Sequence, residues 1–268
     1  MVASKYAPKP GSKVKLKNYD PEDKGKLDKD KAKAETAELQ EKMQSLQERL
    51  FAEGKQSLLI VLQAMDTGGK DGVIKKVFEG INPQGVRVAA FKAPTPEELS
   101  HDFLWRVHEE TPPKGYIGIF NRSHYEDVLV VRVNNIVPPE VWQKRYDHIN
   151  AFEKLLAENG TRIIKFYLHI SKDEQKKRLQ DRLDTPEKLW KFSLGDLPVR
   201  ERWDDYMAAY EDAIAKCNTD YAPWYIIPAN SKWYRDWLIA NIIVETLEAM
   251  NPQYPPPEEG LDKVVIPD

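Results

Sequence analysis

Apolar positions along this chain form five short runs, and longer amphipathic segments separate them. The runs predict strands over residues 58–62, 86–91, 116–120, 162–169 and 224–229. The intervening segments predict helices, among them 97–109, 138–158 and a last helix from Ser231 to about residue 250. Strands that alternate with helices predict an α/β fold, with a doubly wound, mostly parallel five-stranded sheet.

The two ends of the chain differ from this central pattern. Residues 1–30 are polar and rich in lysine, which predicts an arm that packs on the body or stays mobile. Apolar residues at helical spacing then predict a helix over 31–53, ended by Gly54. We therefore expect an N-terminal helical extension over residues 1–54, a main domain over 55–255 and a proline-rich tail over 256–268. The tail is expected to be a surface strap or a contact with another subunit.

Residues 171–217 break the alternation of strands and helices. Ser171, with Glu174 three residues later, predicts a capping box that opens a helix, and further helices follow without a strand. This is the pattern of a helical lid inserted between the fourth and fifth strands. Arg178 and Arg182 lie four residues apart and share a helix face. We expect both to bind phosphate, because a lid faces the loop beneath it; a solvated charged face is the alternative.

Composition narrows the classes of protein. The chain has 268 residues, 41% of them hydrophobic, which is enough for one sizeable α/β core. A net charge of −3 argues against general binding of nucleic acid. A single cysteine, Cys217, excludes an internal disulfide and predicts a reducing, cytoplasmic compartment. We expect neither a signal peptide nor a membrane span.

The candidate chemistry begins where the first predicted strand ends. Gly68 and Gly69 let the backbone turn without a Cβ clash, and Lys70 adds a positive charge at the start of a helix. The N–H groups of such a turn point at one spot, which favours an anion. A strand, turn and helix of this kind form a P-loop. The expected phosphate-binding residues are Thr67, Gly68, Gly69, Lys70, Asp71 and Gly72.

The match to the P-loop consensus is incomplete. Ala64 stands at the first glycine position, and Asp71 replaces the usual Ser or Thr. Asp66 lies inside the loop, where a carboxylate repels phosphate unless a metal ion lies between them. We therefore predict Asp66 to be a direct or water-mediated ligand of Mg²⁺, with Mn²⁺ as a substitute. The alternative for the segment is a Gly-Gly turn between a strand and a surface helix.

A second group of polar residues follows the third predicted strand. It contains Asn121, Arg122, Glu126 and Asp127. Together with the loop over residues 64–72, this segment resembles the thymidylate-kinase-like P-loop kinases and, more closely, the family-2 polyphosphate kinases. Asn121 and the acidic pair after it resemble the class III branch of that family. Further similar stretches lie at 92–95, 104–108, 169–175, 188–192, 221–225 and 227–234, so the resemblance covers most of residues 30–255.

The resemblance implies Mg²⁺-dependent transfer of phosphoryl groups between inorganic polyphosphate and nucleotides, from AMP to ADP and from ADP to ATP. It also implies a homodimer or homotetramer. In such kinases an arginine after this strand holds the acceptor phosphate, which corresponds to Arg122. A planar guanidinium suits phosphate because it makes two contacts. The expected catalytic residues are Asp66, Lys70, Arg122, Glu126 and Asp127.

Other side chains complete the predicted site. Lys92, Arg106 and Asn121 are expected beside Arg122 at the acceptor. Lys75 is expected to extend the basic track for polyphosphate together with the lid cations. Asn121 cannot act as a base, so Glu126 or Asp127 is expected to take that role. The alternative for these two acids is a favourable charge in the first turn of a helix.

Two rival functions remain open from the sequence. One is an ATP-dependent nucleoside-monophosphate kinase, which shares the P-loop and the lid. The other is a P-loop module that binds phosphate without turnover, and the departures at Ala64 and Asp71 favour it. An assay of AMP with ATP or with polyphosphate distinguishes the nucleoside-monophosphate kinase from a polyphosphate kinase. Metal-dependent product formation excludes the module without turnover.

Overall fold

The central strand, β1, spans Ser57–Gln63 and is buried along its whole length. We describe residues 2–261 and 264–267 of this computed structural model. The other strands are β2 (Val86–Ala90), β3 (Ile117–Asn121), β4 (Thr161–His169) and β5 (Trp224–Pro228). Their order in the sheet is β2-β3-β1-β4-β5, and all pairs are parallel. The predicted fold class is confirmed, and the continuous apolar run of β1 is explained because neighbouring strands and helices cover both its edges and both its faces.

Ten α-helices are present in the described part of the chain. They are α1 (Lys29–Glu53), α2 (Lys70–Val77), α3 (Pro96–Leu99), α4 (Trp105–Glu109), α5 (Val130–Val133), α6 (Pro139–Glu158), α7 (Lys172–Asp184), α8 (Asp196–Glu201), α9 (Trp203–Lys216) and α10 (Lys232–Met250). Short 3₁₀ helices cover Val2–Lys5, Leu16–Asn18, Pro83–Gly85, His124–Asp127 and Pro186–Lys191. The predicted helical insertion between the fourth and fifth strands thus consists of α7, one 3₁₀ helix, α8 and α9.

The parallel sheet brings the candidate residues to one edge. In the register, Leu62 of β1 pairs with Asn121 of β3 on one side and with Phe166 of β4 on the other. The segment after β1 and the segment after β3 therefore leave the sheet side by side. The Arg122 N–H donates to the Leu62 carbonyl over 3.1 Å, which fixes this crossing point.

The N-terminal arm packs on the body. Tyr6, Val14 and Leu16 are buried, and the Tyr6 carbonyl accepts a hydrogen bond from Ile226 N over 2.8 Å. Asp28 caps α1, whose apolar face packs along α10. Gly54 ends α1 in the left-handed region (φ 61°), as the sequence predicted. The predicted domain boundaries themselves stay predictions, and residues 1, 262, 263 and 268 lie outside the described part of the chain.

Some local predictions were wrong. The helix predicted over 97–109 is two helices, α3 and α4, because the Asp102 side chain accepts from Leu104 N (3.0 Å) and starts a new turn. Ser231 precedes α10, but its side chain makes no capping bond. Half of the predicted capping box forms at α7: Ser171 Oγ accepts from Glu174 N (3.1 Å), while Ser171 N donates to Asn230 Oδ1 (3.0 Å).

Among the described residues, no helix combines the length and the apolar character that crossing a membrane requires.

Candidate active site

The loop between β1 and α2 turns sharply, and its two glycines serve different purposes. Gly69 has φ 104°, a conformation that side-chain-bearing residues rarely adopt, and a Cβ there would collide with the Arg235 guanidinium. Gly68 is needed for space, since a Cβ would lie 2.5 Å from Cβ of Ala64. Thr67 takes φ 64° although it is not glycine. The loop is therefore held in a strained, tight turn.

Free N–H groups line this turn. Gly68 N donates to the Met65 carbonyl over 2.9 Å. The N–H groups of Thr67 and of residues 69–72 have no hydrogen-bond acceptor among the described residues. They lie at the N-terminus of α2, where the helix dipole is positive. Free N–H groups at a helix N-terminus form a nest, the geometry that favours an anion. The binding of phosphate predicted for Gly68 and Gly69 stays a prediction.

Lys70 lies against this nest. It is 9% exposed, and its Nζ donates to the Ala64 carbonyl over 3.2 Å. Burial lowers the pKa of Lys70, and the Arg122 charge acts in the same direction; the charges of Asp66, Glu126 and Asp71 oppose it. A bound phosphate group would add negative charge here and favour the ammonium form.

Arg122 joins the acid of the loop to the acid after β3. Its Nη2 donates to Asp66 Oδ1 over 2.7 Å, and its Nη1 lies 3.4 Å from Glu126 Oε2. Burial by itself lowers the pKa of Arg122. The Glu126 and Asp66 carboxylates together raise it by more than burial lowers it, so the guanidinium stays charged. The two side chains meet because Arg122 adopts φ 63° and a 3₁₀ turn, His124–Asp127, follows it.

A buried network supports this 3₁₀ turn from below. Lys165 of β4 donates to Glu153 of α6 (2.5 Å), to Tyr125 Oη (2.8 Å) and to the Cys217 carbonyl (2.7 Å). His124 Nε2 lies 3.2 Å from Glu153 Oε1. Burial tends to raise the pKa of Glu153, but Lys165 and His124 together outweigh this and hold the pKa below its usual value. The network fixes the two residues that precede Glu126, and the sequence reasoning did not identify it.

Asp127 and Asn121 make their side-chain contacts with residues other than Asp66, Arg122 and Glu126. Asp127 pairs with Arg145 of α6 (2.8 Å). Burial raises the pKa of Asp127, while Arg145 and Arg106 oppose that rise. Asn121 donates to Asp71 Oδ1 over 2.7 Å and so links the end of β3 to the first turn of α2.

Two of the predicted acceptor cations have different settings. Arg106 is buried, with its guanidinium 5.6 Å from the Phe91 ring, and it donates to the Lys92 carbonyl over 2.9 Å. Glu98 also lies 3.6 Å from it. Lys92 itself is exposed at the end of β2. Arg106 thus holds the backbone of the segment that carries Lys92.

The lid arginines do not act as a pair. Arg178 is buried and donates to the carbonyls of Thr67 (3.0 Å) and Gly68 (3.3 Å) in the loop. Arg182 has partners within the lid itself, where it donates to the Lys191 carbonyl (2.7 Å) and lies 3.5 Å from Asp196. The geometry therefore does not favour the direct phosphate contact predicted for Arg178. Lys75 is exposed on α2.

A cleft of about 230 Å³ opens beside Asp66, Arg122 and Glu126. Its opposite wall is apolar and aromatic. The wall is formed by Leu129, Val130, Val199, Tyr206 and Tyr210. The sequence reasoning missed the two tyrosines; their four-residue spacing on α9 was the available signal. A larger open depression of about 460 Å³, lined by Asp102, Leu104, Trp105, His108 and Glu109, lies apart from these residues.

The donor set can be compared with what Mg²⁺ requires. Within the described ranges, no three His, Cys, Asp or Glu side chains cluster closely enough to enclose a metal ion. Mg²⁺ is commonly held by one or two carboxylates, with phosphate oxygens and water supplying the other ligands. Asp66, with Glu126 across Arg122, fits that pattern.

Comparison with known proteins gives one family. The family model "Polyphosphate kinase 2 (PPK2)" matches residues 26–255. The AMP/ADP-polyphosphate phosphotransferase of Meiothermus ruber is 58% identical over 98% of this chain and 99% of its own length. The ADP-polyphosphate phosphotransferase of Rhodopseudomonas palustris is 47% identical over 80% of this chain and 78% of its own.

A solved structure agrees with the fold. The crystal structure of polyphosphate kinase 2 from Arthrobacter aurescens TC1 superimposes with a TM-score of 0.91 at 44% identity, covering 96% of this chain and 95% of that one. The resemblance described from the loop and from the segment after β3 is confirmed at the level of the family.

Proposed function

This chain belongs to the polyphosphate kinase 2 family, and from that premise we propose that it transfers phosphoryl groups between inorganic polyphosphate and AMP or ADP. The products in the synthetic direction are ADP and ATP. The relative from Meiothermus ruber, which matches almost the whole chain, supports polyphosphate as donor and both nucleotides as acceptors. The observation that carries the chemistry is the position of Arg122, between Asp66 and Glu126 and beside the N–H nest of Lys70.

The nest is proposed to hold the phosphate that is transferred. The free N–H groups of Thr67 and of residues 69–72 can donate hydrogen bonds to a phosphate, but they carry no full positive charge to neutralise it. Lys70 supplies that charge at the start of α2. Phosphoryl transfer depends on positioning and on charge stabilisation more than on covalent chemistry, which suits such a site.

Arg122 is proposed to bind the phosphate of the accepting nucleotide. Its side chain is 39% exposed and already makes two contacts with carboxylates, so a phosphate can replace one of them without moving the side chain far. An oxygen of the acceptor phosphate then attacks the terminal phosphorus of polyphosphate. The new P–O bond forms as the bond to the next phosphate breaks, and the chain becomes one unit shorter.

Asp66 is proposed to hold Mg²⁺, with Glu126 as a second carboxylate within the same cluster. When bound, Mg²⁺ neutralises phosphate charge and aligns the phosphate oxygens. Asp66 must exchange its contact with Arg122 for this role, which happens when an acceptor phosphate takes over the guanidinium. The carboxylate and the arginine are thus prepared for substrate by pairing with each other.

The remaining predicted residues have supporting roles in this proposal. Arg182, at 23% side-chain exposure, and exposed Lys75 are proposed to follow the rest of the polyphosphate chain. Lys92 is proposed to approach the acceptor, with Arg106 fixing its backbone. Asn121 orients Asp71 at the nest. Asp127 is proposed to anchor the segment after β3 through Arg145 and not to act as the base.

We also propose that the chain forms a homodimer or homotetramer, as the family resemblance implies. Light scattering coupled to size-exclusion chromatography measures the mass of the assembly against the 31.0 kDa of one chain.

One assay tests the proposed function. Purified protein is incubated with AMP or with ADP, together with Mg²⁺ and either polyphosphate or ATP, and the nucleotides are separated. We expect ADP and ATP to form from AMP with polyphosphate, and this formation to stop when the metal is chelated. Product from AMP with ATP alone would instead support a nucleoside-monophosphate kinase.

A further inference from the structure

Two residues on one face of α7 hold the backbone of the phosphate-binding loop. Gln175 Nε2 donates to the Asp66 carbonyl over 3.1 Å. Arg178 Nη1 donates to the next two carbonyls, Thr67 (3.0 Å) and Gly68 (3.3 Å). Three consecutive loop carbonyls are therefore bound from the side of the lid helix.

The direction of a carbonyl determines the direction of the next N–H. In a trans peptide unit the C=O of one residue and the N–H of the following residue point in opposite directions. Carbonyls of Asp66, Thr67 and Gly68 that point to α7 therefore turn the N–H groups of Thr67, Gly68 and Gly69 away from it. Those of Thr67 and Gly69 are among the unpaired N–H groups of the nest.

Arg178 has no donor left for a phosphate. Its Nη2 donates to the carbonyls of Ala229 (2.6 Å) and Asn230 (3.1 Å), and its Nε donates to Glu174 (2.7 Å). With the two loop carbonyls, this accounts for all five N–H donors of a guanidinium. Asn230 in turn accepts from Ser171 N, so the start of α7, the loop and the segment after β5 form one connected unit.

We propose that Gln175 and Arg178 are positioning residues, which set the orientation of the phosphate-binding N–H groups through the carbonyls of the loop. The proposal rests on the proposed function for its kinetic consequences, but its structural consequence is independent of turnover. This role differs from the direct binding of phosphate that the sequence predicted for Arg178. A direct phosphate ligand acts through its charge, whereas this residue acts through hydrogen bonds to carbonyls, and neutral Gln175 shares the task.

Three substitutions and one control separate these two roles. Arg178→Gln removes the charge and most donors, Arg178→Lys keeps the charge without the planar fork, and Gln175→Met removes a neutral donor at similar size. Lys177→Gln removes one positive charge from an exposed position on the same helix and is the matched control. Kinetics are measured with ADP and either tripolyphosphate or long-chain polyphosphate.

We expect kcat to fall about 10²-fold in Arg178→Gln and to a similar degree in Arg178→Lys, because misplaced binding groups cost this much. Gln175→Met should show a smaller fall of the same kind. The loss should be equal for short and long polyphosphate, and Lys177→Gln should behave as wild type. A rise in the KM of polyphosphate that grows with chain length, with rescue by Arg178→Lys, would overturn the proposal.

A second measurement is made without substrate. The Gly68 N–H, bonded to Met65, is followed by amide hydrogen exchange in each folded variant. Its exchange should accelerate at least about tenfold in Arg178→Gln and Gln175→Met, and stay unchanged in Lys177→Gln, since the loop loses its support. An unchanged exchange rate of the Gly68 N–H in both Arg178→Gln and Gln175→Met would also overturn the proposal. An inactive wild-type protein would instead contradict the proposed function and leave this result valid.

Discussion

Asp66 Oδ1 and Arg122 Nη2 lie 2.7 Å apart, so the acid of the phosphate-binding loop is paired with the arginine that follows β3. An unpaired carboxylate in an anion nest would repel the substrate. Here the positive charge of Arg122 offsets the charge of Asp66, and in the proposed mechanism a substrate phosphate then replaces Asp66 at the guanidinium. This pairing also explains how an acid can occupy a P-loop position without abolishing phosphate binding.

We predict that Asp66→Asn raises the Mg²⁺ concentration needed for activity while affecting polyphosphate affinity only weakly. The amide keeps the shape of the side chain and removes the charge that a hard cation requires. The measurement is a titration of initial rate with Mg²⁺ at saturating polyphosphate. An unchanged Mg²⁺ requirement would mean that Asp66 is not a ligand, either directly or through water.

We predict that Lys70→Ala reduces kcat by about 10²–10³, or roughly 3–4 kcal/mol of transition-state stabilisation. The ammonium lies at the nest, so its loss leaves the charge of the transferring phosphoryl group unbalanced. Circular dichroism and thermal unfolding check that the fold survives. Near-normal turnover in the folded variant would contradict the P-loop interpretation.

Much of this site was predictable because strand ends in a parallel sheet converge. The loop after β1 and Arg122 after β3 follow from sequence order alone. The directions in which the side chains point were not predictable. Nothing in a charge pattern tells whether Arg178 points to solvent, to phosphate or to backbone carbonyls, and the last of these is observed.

Ion pairs between residues far apart in the sequence were also not predictable from the sequence. Asp127 is bound by Arg145 from α6, and Glu153 by Lys165 from β4, because of how the helix packs on the sheet. The polar composition of the N-terminal arm likewise concealed that Tyr6, Val14 and Leu16 are buried. A few apolar residues at irregular spacing are enough to dock an extended segment, and they leave no period in the sequence.

We predict that Glu153→Gln destabilises the protein by about 3–5 kcal/mol, since it leaves Lys165 as an uncompensated buried charge. Both side chains of this pair are fully buried. Glu158→Gln, also on α6, is the control: its pair with Lys154 spans 3.7 Å and is more than half exposed. That change should cost less than about 1 kcal/mol. Urea unfolding of both variants makes the comparison, and equal losses would contradict the assigned role of the network.

We predict that His169 makes stability fall as pH decreases from 6.5 to about 4. Burial lowers the pKa of His169 from 6.5 to about 4, against smaller opposing effects of the Tyr19 and Leu16 backbone and of Asp20. The unfolded chain therefore takes up a proton in this range before the folded chain does, and acid favours unfolding. A fall of this size in pKa corresponds to about 3 kcal/mol.

The comparison for His169 is with His169→Gln, which cannot titrate. Unfolding free energies of both proteins are measured at intervals from pH 7 to pH 4. The difference between them should shift by about 3 kcal/mol against the wild type over this range. Parallel curves would show that His169 does not lower its affinity for protons on folding.

The last prediction concerns Glu126, which lies 3.4 Å from Arg122 at the mouth of the cleft. Its carboxylate holds one edge of the guanidinium while Asp66 holds another. In Glu126→Gln the guanidinium loses one charged partner, and its orientation then depends on Asp66 and on the nucleotide. AMP and ADP differ by one phosphate, so they place their terminal phosphates differently against this arginine. We expect the ratio of kcat/KM for AMP to that for ADP to change about fivefold, equivalent to about 1 kcal/mol, which is the usual size of a partly exposed ion pair. The KM of polyphosphate should stay nearly constant, because polyphosphate is proposed to bind at the nest. Equal losses with AMP and ADP would remove Glu126 from the acceptor site, and a rise confined to the KM of polyphosphate would place it beside the donor.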